Sequence, residues 1–278
     1  MTNPKTAAIV LAAGHGTRMK SATPKVLHRL AGRAMISHVT QTLSTLAPER
    51  VVVVIAPSME AVAEEVAPLA CAVQDQQLGT AHAVLSARDA LKGFAGEVLV
   101  VYADNPLISQ ATLEAMLAKR RAPEGPAVVV LGFRPPEPGA YGRLVLGDTG
   151  TLQEIVEARE ASPQQLALGL CNSGVIAAHS GRLFELAERV GNDNAKGEYY
   201  LTDIVALARS QGLECAVVEG DGGELVGIDS RAGLAAAEAL VQQRLRADAM
   251  AGGATLIDPE TVYLCEDTEL GQDVSVGP

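Results

Sequence analysis

The chain has 278 residues and a formal net charge of −11; 48% of its residues are hydrophobic but only 3% are aromatic. The acidic balance argues against nucleic acid as a partner, although local cations can still hold an anionic substrate. The four cysteines lie far apart in the sequence, which argues against a disulfide framework or a zinc site. No stretch approaches the roughly 20 apolar residues of a membrane span. We therefore expect a cytoplasmic protein with no membrane partner.

The first half of the chain alternates apolar runs with segments of helical spacing. The pattern predicts strands at 7–13, 51–55, 71–73 and 97–102, and helices at 25–46, 59–69 and 81–91. Such alternation predicts βαβ units, a parallel sheet and right-handed crossovers.

The second half contains shorter elements. We predict strands at 127–133, 142–146, 152–156, 168–178, 214–218 and 225–228, and helices at 111–121, 182–190 and 201–211. Residues 230–251 form an Ala-rich helical segment that ends at Gly252-Gly253. Beyond it, apolar residues recur every five or six positions in 258–276, which is typical of a parallel β-helix, but only about one turn is present.

The loop after the first strand is the main candidate for phosphate binding. Gly14 and Gly16 allow a sharp turn and close approach of a ligand to the backbone, and Arg18, Lys20 and Lys25 add positive charge. Ligands of α/β sheets usually bind at such a carboxyl edge.

Two common nucleotide motifs nearly match this loop, and both fail at Met19. A dinucleotide fingerprint, G-x-G-x-x-G, requires a third glycine there, and a P-loop requires its second glycine at the same position. An ordinary strand-to-helix turn is the structural alternative, but it does not need two glycines and three cations.

Two carboxylates follow apolar strands and are candidate Mg²⁺ ligands. Asp104 ends the strand 97–102, and Asp229 follows the segment 225–228. Mg²⁺ prefers oxygen ligands and keeps waters and substrate phosphates in its coordination shell. The structural alternatives are a turn or cap role for Asp104 and the N-cap of the long helix for Asp229.

Several polar residues in turns are candidates for base and sugar recognition. Gln74, Gly79 and Thr80 lie between a strand and a helix, where an amide can contact a base edge, and the stretches 141–143 and 172–174 are candidate sugar contacts. Each of these segments is also compatible with an ordinary turn or strand edge. The five histidines form no triad or metal-ligand spacing, and we interpret them as structural.

The loop LAAGHGTRM followed by PKVLH resembles the signature of the sugar-nucleotide pyrophosphorylases, a nucleotidyltransferase family that has methionine at the position of Met19. Within this family, the chain resembles the bacterial bifunctional UDP-N-acetylglucosamine pyrophosphorylases/glucosamine-1-phosphate N-acetyltransferases over essentially its whole length. The motifs that carry this resemblance, in chain order after the first loop, are QQLGTAHAV, YADNPLI, AYGRLV, VEAREA, CNSGV, NDNAKGEYYLTDIVALA and DPETVYL.

The resemblance implies a Rossmann-like α/β nucleotidyltransferase domain (1–229) with a mixed, mainly parallel sheet, a linker helix (230–251) and the first turn of a left-handed β-helix (252–278). It implies synthesis of UDP-N-acetylglucosamine and pyrophosphate from UTP and N-acetylglucosamine 1-phosphate, with Mg²⁺, for cell-wall precursors. Acetyltransferase activity is not expected of this chain, and a trimer is expected only with the full β-helix.

The resemblance also assigns residues. Arg18 and Lys25 are implied to be catalytic, and Asp104 and Asp229 to bind the metal. The implied substrate-binding residues are Leu11, Ala12, Ala13, Gly14, Gln74, Gly79, Thr80, Tyr102, Ala103, Gly142, Glu157, Asn172, Tyr199 and Thr202.

Two positions depart from the family pattern. Asp229 stands where the family usually has an asparagine metal ligand, and it remains a competent oxygen ligand. Ala103 stands where glycine is usual, and its methyl group is expected to crowd the ribose. The alternatives are a pyrophosphorylase for another sugar 1-phosphate and a non-catalytic sugar-nucleotide-binding module.

Overall fold

The structure, a computed structural model, describes residues 5–123 and 125–278. Its strands are β1 (Thr6–Leu11), β2 (Arg29–Leu30), β3 (Arg33–Ala34), β4 (Arg50–Ile55), β5 (Ala70–Val73), β6 (Glu97–Tyr102), β7 (Val128–Phe133), β8 (Arg143–Leu146), β9 (Leu152–Val156), β10 (Cys171–His179), β11 (Cys215–Glu219), β12 (Thr255–Leu256) and β13 (Ser275–Val276).

The α-helices are α1 (Met35–Thr45), α2 (Glu60–Glu65), α3 (Thr80–Ser86), α4 (Gln110–Arg120), α5 (Pro163–Leu166), α6 (Ser180–Ala187), α7 (Ile204–Ser210) and α8 (Arg231–Ala251). Short 3₁₀ turns occupy Thr17–Met19, Lys25–Leu27, Leu201–Asp203 and Pro259–Thr261. Within the described residues, none of the helices combines the length and the apolar character that crossing a membrane requires.

Nine of the described strands form one sheet with the order β11-β7-β10-β6-β1-β4-β5, and β8 and β9 extend it beside β10. Strands β6, β1, β4 and β5 are parallel neighbours, whereas β10 is antiparallel to both β6 and β7. The predicted Rossmann-like fold with a mixed, mainly parallel sheet is therefore confirmed.

Both faces of the sheet are buried, which explains why its strands are apolar at nearly every position. Along β1, Ala7, Ile9 and Leu11 pack into one hydrophobic cluster, while Ala8 and Val10 pack into the cluster on the opposite face. Leu11 pairs with Tyr102 of β6 and with Val54 of β4, so these three strands end at one edge of the sheet.

The predicted helix at 25–46 is wrong over its first ten residues. A 3₁₀ turn at Lys25–Leu27 is followed by the hairpin β2–β3, and only Met35–Thr45 is helical. The hairpin turns at Ala31 and Gly32, whose φ angles of 46° and 81° lie in the left-handed region and interrupt a helix. Helical spacing of the apolar residues alone did not distinguish this hairpin from a helical turn.

The predicted strand at 225–228 is also wrong. Leu225 and Ile228 are buried, as expected, but the segment is not a strand of the sheet. The Ile228 N–H instead donates to the Asp104 carbonyl at 2.9 Å. This bond brings the segment that carries Asp229 beside the end of β6.

The C-terminal residues pack on α8 and on the β2–β3 hairpin. Leu256, Val262 and Leu264 form a small hydrophobic cluster that includes Leu245 of α8. Strands β12 and β13 pair in parallel over two residues each. The start of a left-handed β-helix stays a prediction, as do the domain boundaries.

Gln242 of α8 is expected to be important for this packing. It is 1% exposed, its Nε2 donates to the Leu264 carbonyl at 2.6 Å, and its Oε1 accepts from the Leu264 N–H at 2.8 Å. Gln242→Leu leaves both backbone groups unpaired and is expected to destabilise the protein by about 2–6 kcal/mol, at about 1–3 kcal/mol for each unsatisfied group.

Urea unfolding measures this effect, and limited proteolysis reports whether residues 252–278 detach. Gln243→Leu is the matched control, because Gln243 is the next residue of α8 and is exposed. Equal unfolding midpoints for the two variants would contradict the assigned role of Gln242.

Candidate active site

A cavity of about 280 Å³ opens at the carboxyl edge of β1 and β6 and collects many of the predicted site residues. Those that line it are Leu11, Ala12, Ala13, Gly14, Lys25, Gln74, Gly79, Thr80, Tyr102 and Asp104. A larger cleft of about 860 Å³ lies beside Arg120 and His179 and contains none of the predicted residues. The smaller cavity is therefore the candidate active site.

Lys25 and Asp104 form an ion pair within this cavity, through Lys25 Nζ and Asp104 Oδ2. Their side chains are only 14% and 18% exposed, so the pair is weakly screened by solvent. Lys25 also packs against the glycine loop, because a Cβ added to Gly16 would lie 2.5 Å from Lys25 Cβ. Gly16, with φ of 61°, therefore lets the loop fold onto this lysine.

Arg18 and Asp229 form a second ion pair, with 2.6 Å between Arg18 Nη1 and Asp229 Oδ2. Neither lines the cavity, and the Arg18 side chain is 72% exposed. An exposed pair of this kind contributes about 0–1 kcal/mol, so Arg18 can exchange this partner for a ligand at little cost. Arg231 adds a second link between the same segments, because its Nε donates to the Met19 carbonyl at 3.2 Å.

Both candidate metal carboxylates lie near the Tyr141 hydroxyl. Burial is the main cause that raises the pKa of Tyr141, and the negative charges of Asp229 and Asp104 add to it. No cluster of three or more His, Cys, Asp or Glu side chains suited to a metal occurs in the described part of the chain. The two aspartates are thus a two-carboxylate arrangement, which is compatible with Mg²⁺ bound jointly with substrate phosphates.

The predicted sugar-binding residues form a group next to the cavity rather than part of its lining. The Asn172 N–H donates to the Gly142 carbonyl at 2.8 Å, and a Cβ on Gly142 would lie 3.6 Å from Glu157 Oε1. Burial is the main cause that raises the pKa of Glu157, and the nearby Lys196 opposes it. Tyr102 connects this group to the cavity, because its ring packs on Gly174.

Arg143 supports the loop that carries Gly142. This buried guanidinium donates to the carbonyl oxygens of Gly139 at 3.2 Å and of Pro138 and Leu166 at 3.4 Å, and also to that of Tyr141. The position of Gly142 therefore depends on a side chain that does not line the cavity.

Two further predicted residues hold the turn at Gly79. The Tyr199 N–H donates to the Leu78 carbonyl at 2.7 Å, and the Tyr199 carbonyl accepts from the Ala81 N–H at 2.9 Å. The Thr80 hydroxyl accepts from the Leu201 N–H at 2.9 Å. The adjacent Thr202 lies close to Glu157, and its hydroxyl opposes the rise in the pKa of that carboxyl.

Gly79→Ala is expected to destabilise the protein strongly. Gly79 has φ of 118°, and an added Cβ would lie 2.5 Å from the Tyr199 carbonyl oxygen. The strained backbone alone costs about 1–3 kcal/mol, and the clash adds to it. Gly93→Ala is the control, since Gly93 has φ of 75° but open space around its Cβ position. If both variants unfold at the same urea concentration, contact with Tyr199 does not restrict this position.

Ala103, which was predicted to bind substrate, lies outside the cavity. It is fully buried in the hydrophobic cluster on the face of the sheet that also contains Ala8 and Val10, and it does not line the cavity. The expectation that its methyl group crowds the ribose therefore has no support from its position.

Four lining residues were not predicted: Val26, Gln77, Ala83 and Glu198. Gln77 Nε2 donates to the Ala13 carbonyl at 2.8 Å, which joins the turn before α3 to the glycine loop. Gln77 lies within the QQLGT stretch and Glu198 within GEYY, so both motifs contained the signal, although side-chain direction was needed to select these residues.

Comparison with known proteins supports a nucleotidyltransferase. A sequence model described as the MobA-like NTP transferase domain matches residues 8–168, more than half of the chain. The fold is similar to a crystal structure of UDP-glucose pyrophosphorylase complexed with UDP-glucose, with a TM-score of 0.68 and 17% identity over 86% of this chain and 99% of that one. It is also similar to the inositol-1-phosphate CTP transferase from T. maritima, with a TM-score of 0.63, 17% identity and coverage of 86% and 98%.

Relatives with higher identity are named bifunctional protein GlmU. The chain is 59% identical to that of Paramagnetospirillum magneticum over 278 residues, which are 100% of this chain and 62% of the relative. It is 61% identical to that of Rhodospirillum rubrum over 98% of this chain and 60% of the relative. The resemblance predicted from the motifs is confirmed, and the chain spans about three-fifths of the length of these relatives.

Proposed function

The chain belongs to the MobA-like NTP transferase family, and from this premise we propose that it transfers the uridylyl group of UTP to N-acetylglucosamine 1-phosphate. The products are UDP-N-acetylglucosamine and pyrophosphate. The observation that carries the proposal is the Lys25–Asp104 pair beneath the glycine loop, in a cavity beside the group of Gly142, Glu157 and Asn172. The motifs supply the identity of the base and the sugar.

The reaction requires alignment of two anionic substrates. A phosphate oxygen of the sugar phosphate attacks the α-phosphorus of UTP in line, a new P–O bond forms, and the bond to the departing pyrophosphate breaks. The nucleophile is already anionic at neutral pH, so no general base is needed. Catalysis therefore depends on positioning and on stabilisation of charge.

Two cations of the chain are placed for this role. Lys25 is held at the cavity wall, and on binding it directs its charge to the triphosphate oxygens. Arg18 is exposed at the loop and leaves Asp229 to contact the β- and γ-phosphates. The Ala12 N–H donates to the Val54 carbonyl, so the backbone N–H groups of Ala13 and Gly14 are the ones that complete the anion site.

Asp104 and Asp229 are the residues that would hold Mg²⁺. Their carboxylates fit the ion because they are two oxygen donors near a phosphate site, with a hydrogen bond between Ile228 and Asp104 that keeps their segments together. Bound there, the ion would supply neutralisation of phosphate charge. Lys25 and Arg18, no longer needed as partners of the carboxylates, would be free to contact the phosphates.

The sugar is proposed to bind where Gly142, Glu157 and Asn172 meet. The raised pKa of Glu157 reflects a buried carboxyl that is suited to hydrogen bonding with sugar hydroxyls or the acetamido N–H. Tyr102, which lines the base-binding cavity and packs on Gly174, connects this group to the cavity. A cytoplasmic location and, with a complete β-helix, a trimer are further parts of the proposal.

Pyrophosphate release with UTP, Mg²⁺ and a panel of sugar 1-phosphates tests the proposal. We expect turnover with N-acetylglucosamine 1-phosphate to exceed turnover with glucose 1-phosphate, and EDTA to abolish it. Preference for another sugar phosphate would replace the proposed substrate. Nucleotide binding without turnover on any sugar phosphate would indicate a binding module.

A further inference from the structure

The amide of Gln74 has a fixed orientation in the cavity wall. Gln74 follows β5, is 3% exposed, and donates from Nε2 to the Gly79 carbonyl at 3.0 Å. The same Nε2 lies 3.1 Å from His82 Nδ1. A carbonyl oxygen can only accept, so the NH₂ end of the amide must face Gly79.

The other end of this amide is an acceptor. Within residues 5–123 and 125–278, no donor forms a hydrogen bond with Gln74 Oε1. Gln74 lines the cavity, whereas both hydrogen-bonding contacts of its NH₂ group are with protein atoms. The group left to interact with a ligand is therefore the carbonyl oxygen.

His82 supports this orientation by accepting a second hydrogen bond from the same NH₂ group. It lies in the first turn of α3, two residues after Thr80, and its Nδ1 faces an amide donor. Nδ1 must therefore carry the lone pair, and the ring proton is on Nε2. If the amide turned over, Oε1 would face the Gly79 carbonyl, which is repulsive, and His82 would have to carry its ring proton on Nδ1 instead of Nε2 to keep a hydrogen bond.

We propose that His82 is a positioning residue for selection of the base, because it keeps Gln74 Oε1 directed at the cavity as an acceptor. This inference rests on the proposed function only in taking the cavity as the UTP site. Uracil has an N–H donor at N3, whereas cytosine has a lone pair at the same ring atom. A fixed acceptor therefore binds uracil and repels cytosine, and a freely rotating amide does not distinguish them.

The contribution of His82 is expected to be partial, since Gly79 alone also opposes rotation of the amide. Removal of one neutral hydrogen bond corresponds to about a five- to tenfold change in an equilibrium constant. We expect His82→Leu to reduce the ratio of UTP to CTP affinity by about tenfold, mainly through weaker UTP binding. His82→Asn, whose side-chain oxygen can replace Nδ1 as acceptor, is expected to restore most of the ratio.

Calorimetric titration with UTP and with CTP, in Mg²⁺ and without sugar phosphate, measures these ratios. His82→Ala is a second variant without the acceptor, so a folding defect of the leucine variant does not decide the result, and thermal unfolding monitors both. With sugar phosphate present, the KM for UTP should rise while kcat at saturating UTP stays within about threefold, because His82 does not contact the phosphates.

Equal losses of UTP and CTP affinity would overturn the proposal, because they indicate a purely structural histidine. An unchanged ratio in His82→Leu and His82→Ala would also overturn it, as would a wild-type protein without UTP preference. Selective UTP binding without turnover on any sugar phosphate would instead contradict the proposed function and leave the role of His82 to be decided by the same ratios.

Discussion

Replacing Asp104 by alanine is expected to reduce pyrophosphate release by about 10³-fold or more, since a metal-binding carboxylate supplies several kcal/mol of charge stabilisation and each 1.36 kcal/mol is a factor of ten. Asp104 is the only cavity-lining residue that we assign as a metal ligand, and its side chain is 18% exposed. Its loss also leaves Lys25 without the ion pair that holds it in the cavity.

The Asp104→Asn variant separates the loss of the metal-binding carboxylate from the loss of the contact with Lys25. The asparagine keeps the shape of the side chain and an oxygen toward Lys25, but it removes the negative charge. We expect this variant to fold normally and still to lose about 10²-fold or more in kcat, with the Mg²⁺ concentration needed for half-maximal rate increased. Near-normal turnover of both variants would rule out Asp104 as a metal ligand.

Replacing Lys25 by alanine is expected to reduce kcat by about 10²–10³-fold, the scale for loss of one transition-state donor. Lys25 is 14% exposed and packs against Gly16, so its ammonium is already placed for the triphosphate. Because the charge on the phosphates increases in the transition state, kcat should fall more than the affinity for UTP.

Lys92→Ala is the control for the loss of a positive charge, since Lys92 is exposed and does not line the cavity. It should retain full activity. A change in the KM for UTP with kcat unchanged in Lys25→Ala would show that this lysine contributes only to ground-state binding, contrary to the assigned role.

The sequence predicted the central strands closely because they are buried on both faces. The run 97–102 corresponds to β6 (Glu97–Tyr102), and 51–55 differs from β4 by one residue. At 225–228, Leu225 and Ile228 are also buried, but Val226 is exposed and the segment has no partner strand, which an apolar sequence does not reveal. At Ala31 the backbone adopts a left-handed conformation, and the chain forms a hairpin where we predicted a helix. An alanine in the sequence gives no signal for such a turn.

The sequence predicted those parts of the candidate site whose positions follow from where the strands end. Residues after β1 and β6 meet because parallel strands end at one edge, so Gly14, Lys25 and Asp104 line a common cavity. The pairing of Arg18 with Asp229 depends on side-chain direction across some 210 residues of sequence, which spacing does not encode. The same limit explains why Gln77 was missed.

Label transfer tests most directly whether the sugar phosphate attacks the α-phosphorus of UTP. UTP carrying radioactive phosphorus at the α position is incubated with N-acetylglucosamine 1-phosphate and Mg²⁺, and a parallel reaction uses label at the γ position. We expect the α label to appear in UDP-N-acetylglucosamine and the γ label in pyrophosphate. Appearance of the γ label in inorganic phosphate or in a sugar product, with no labelled sugar nucleotide, would contradict this expectation.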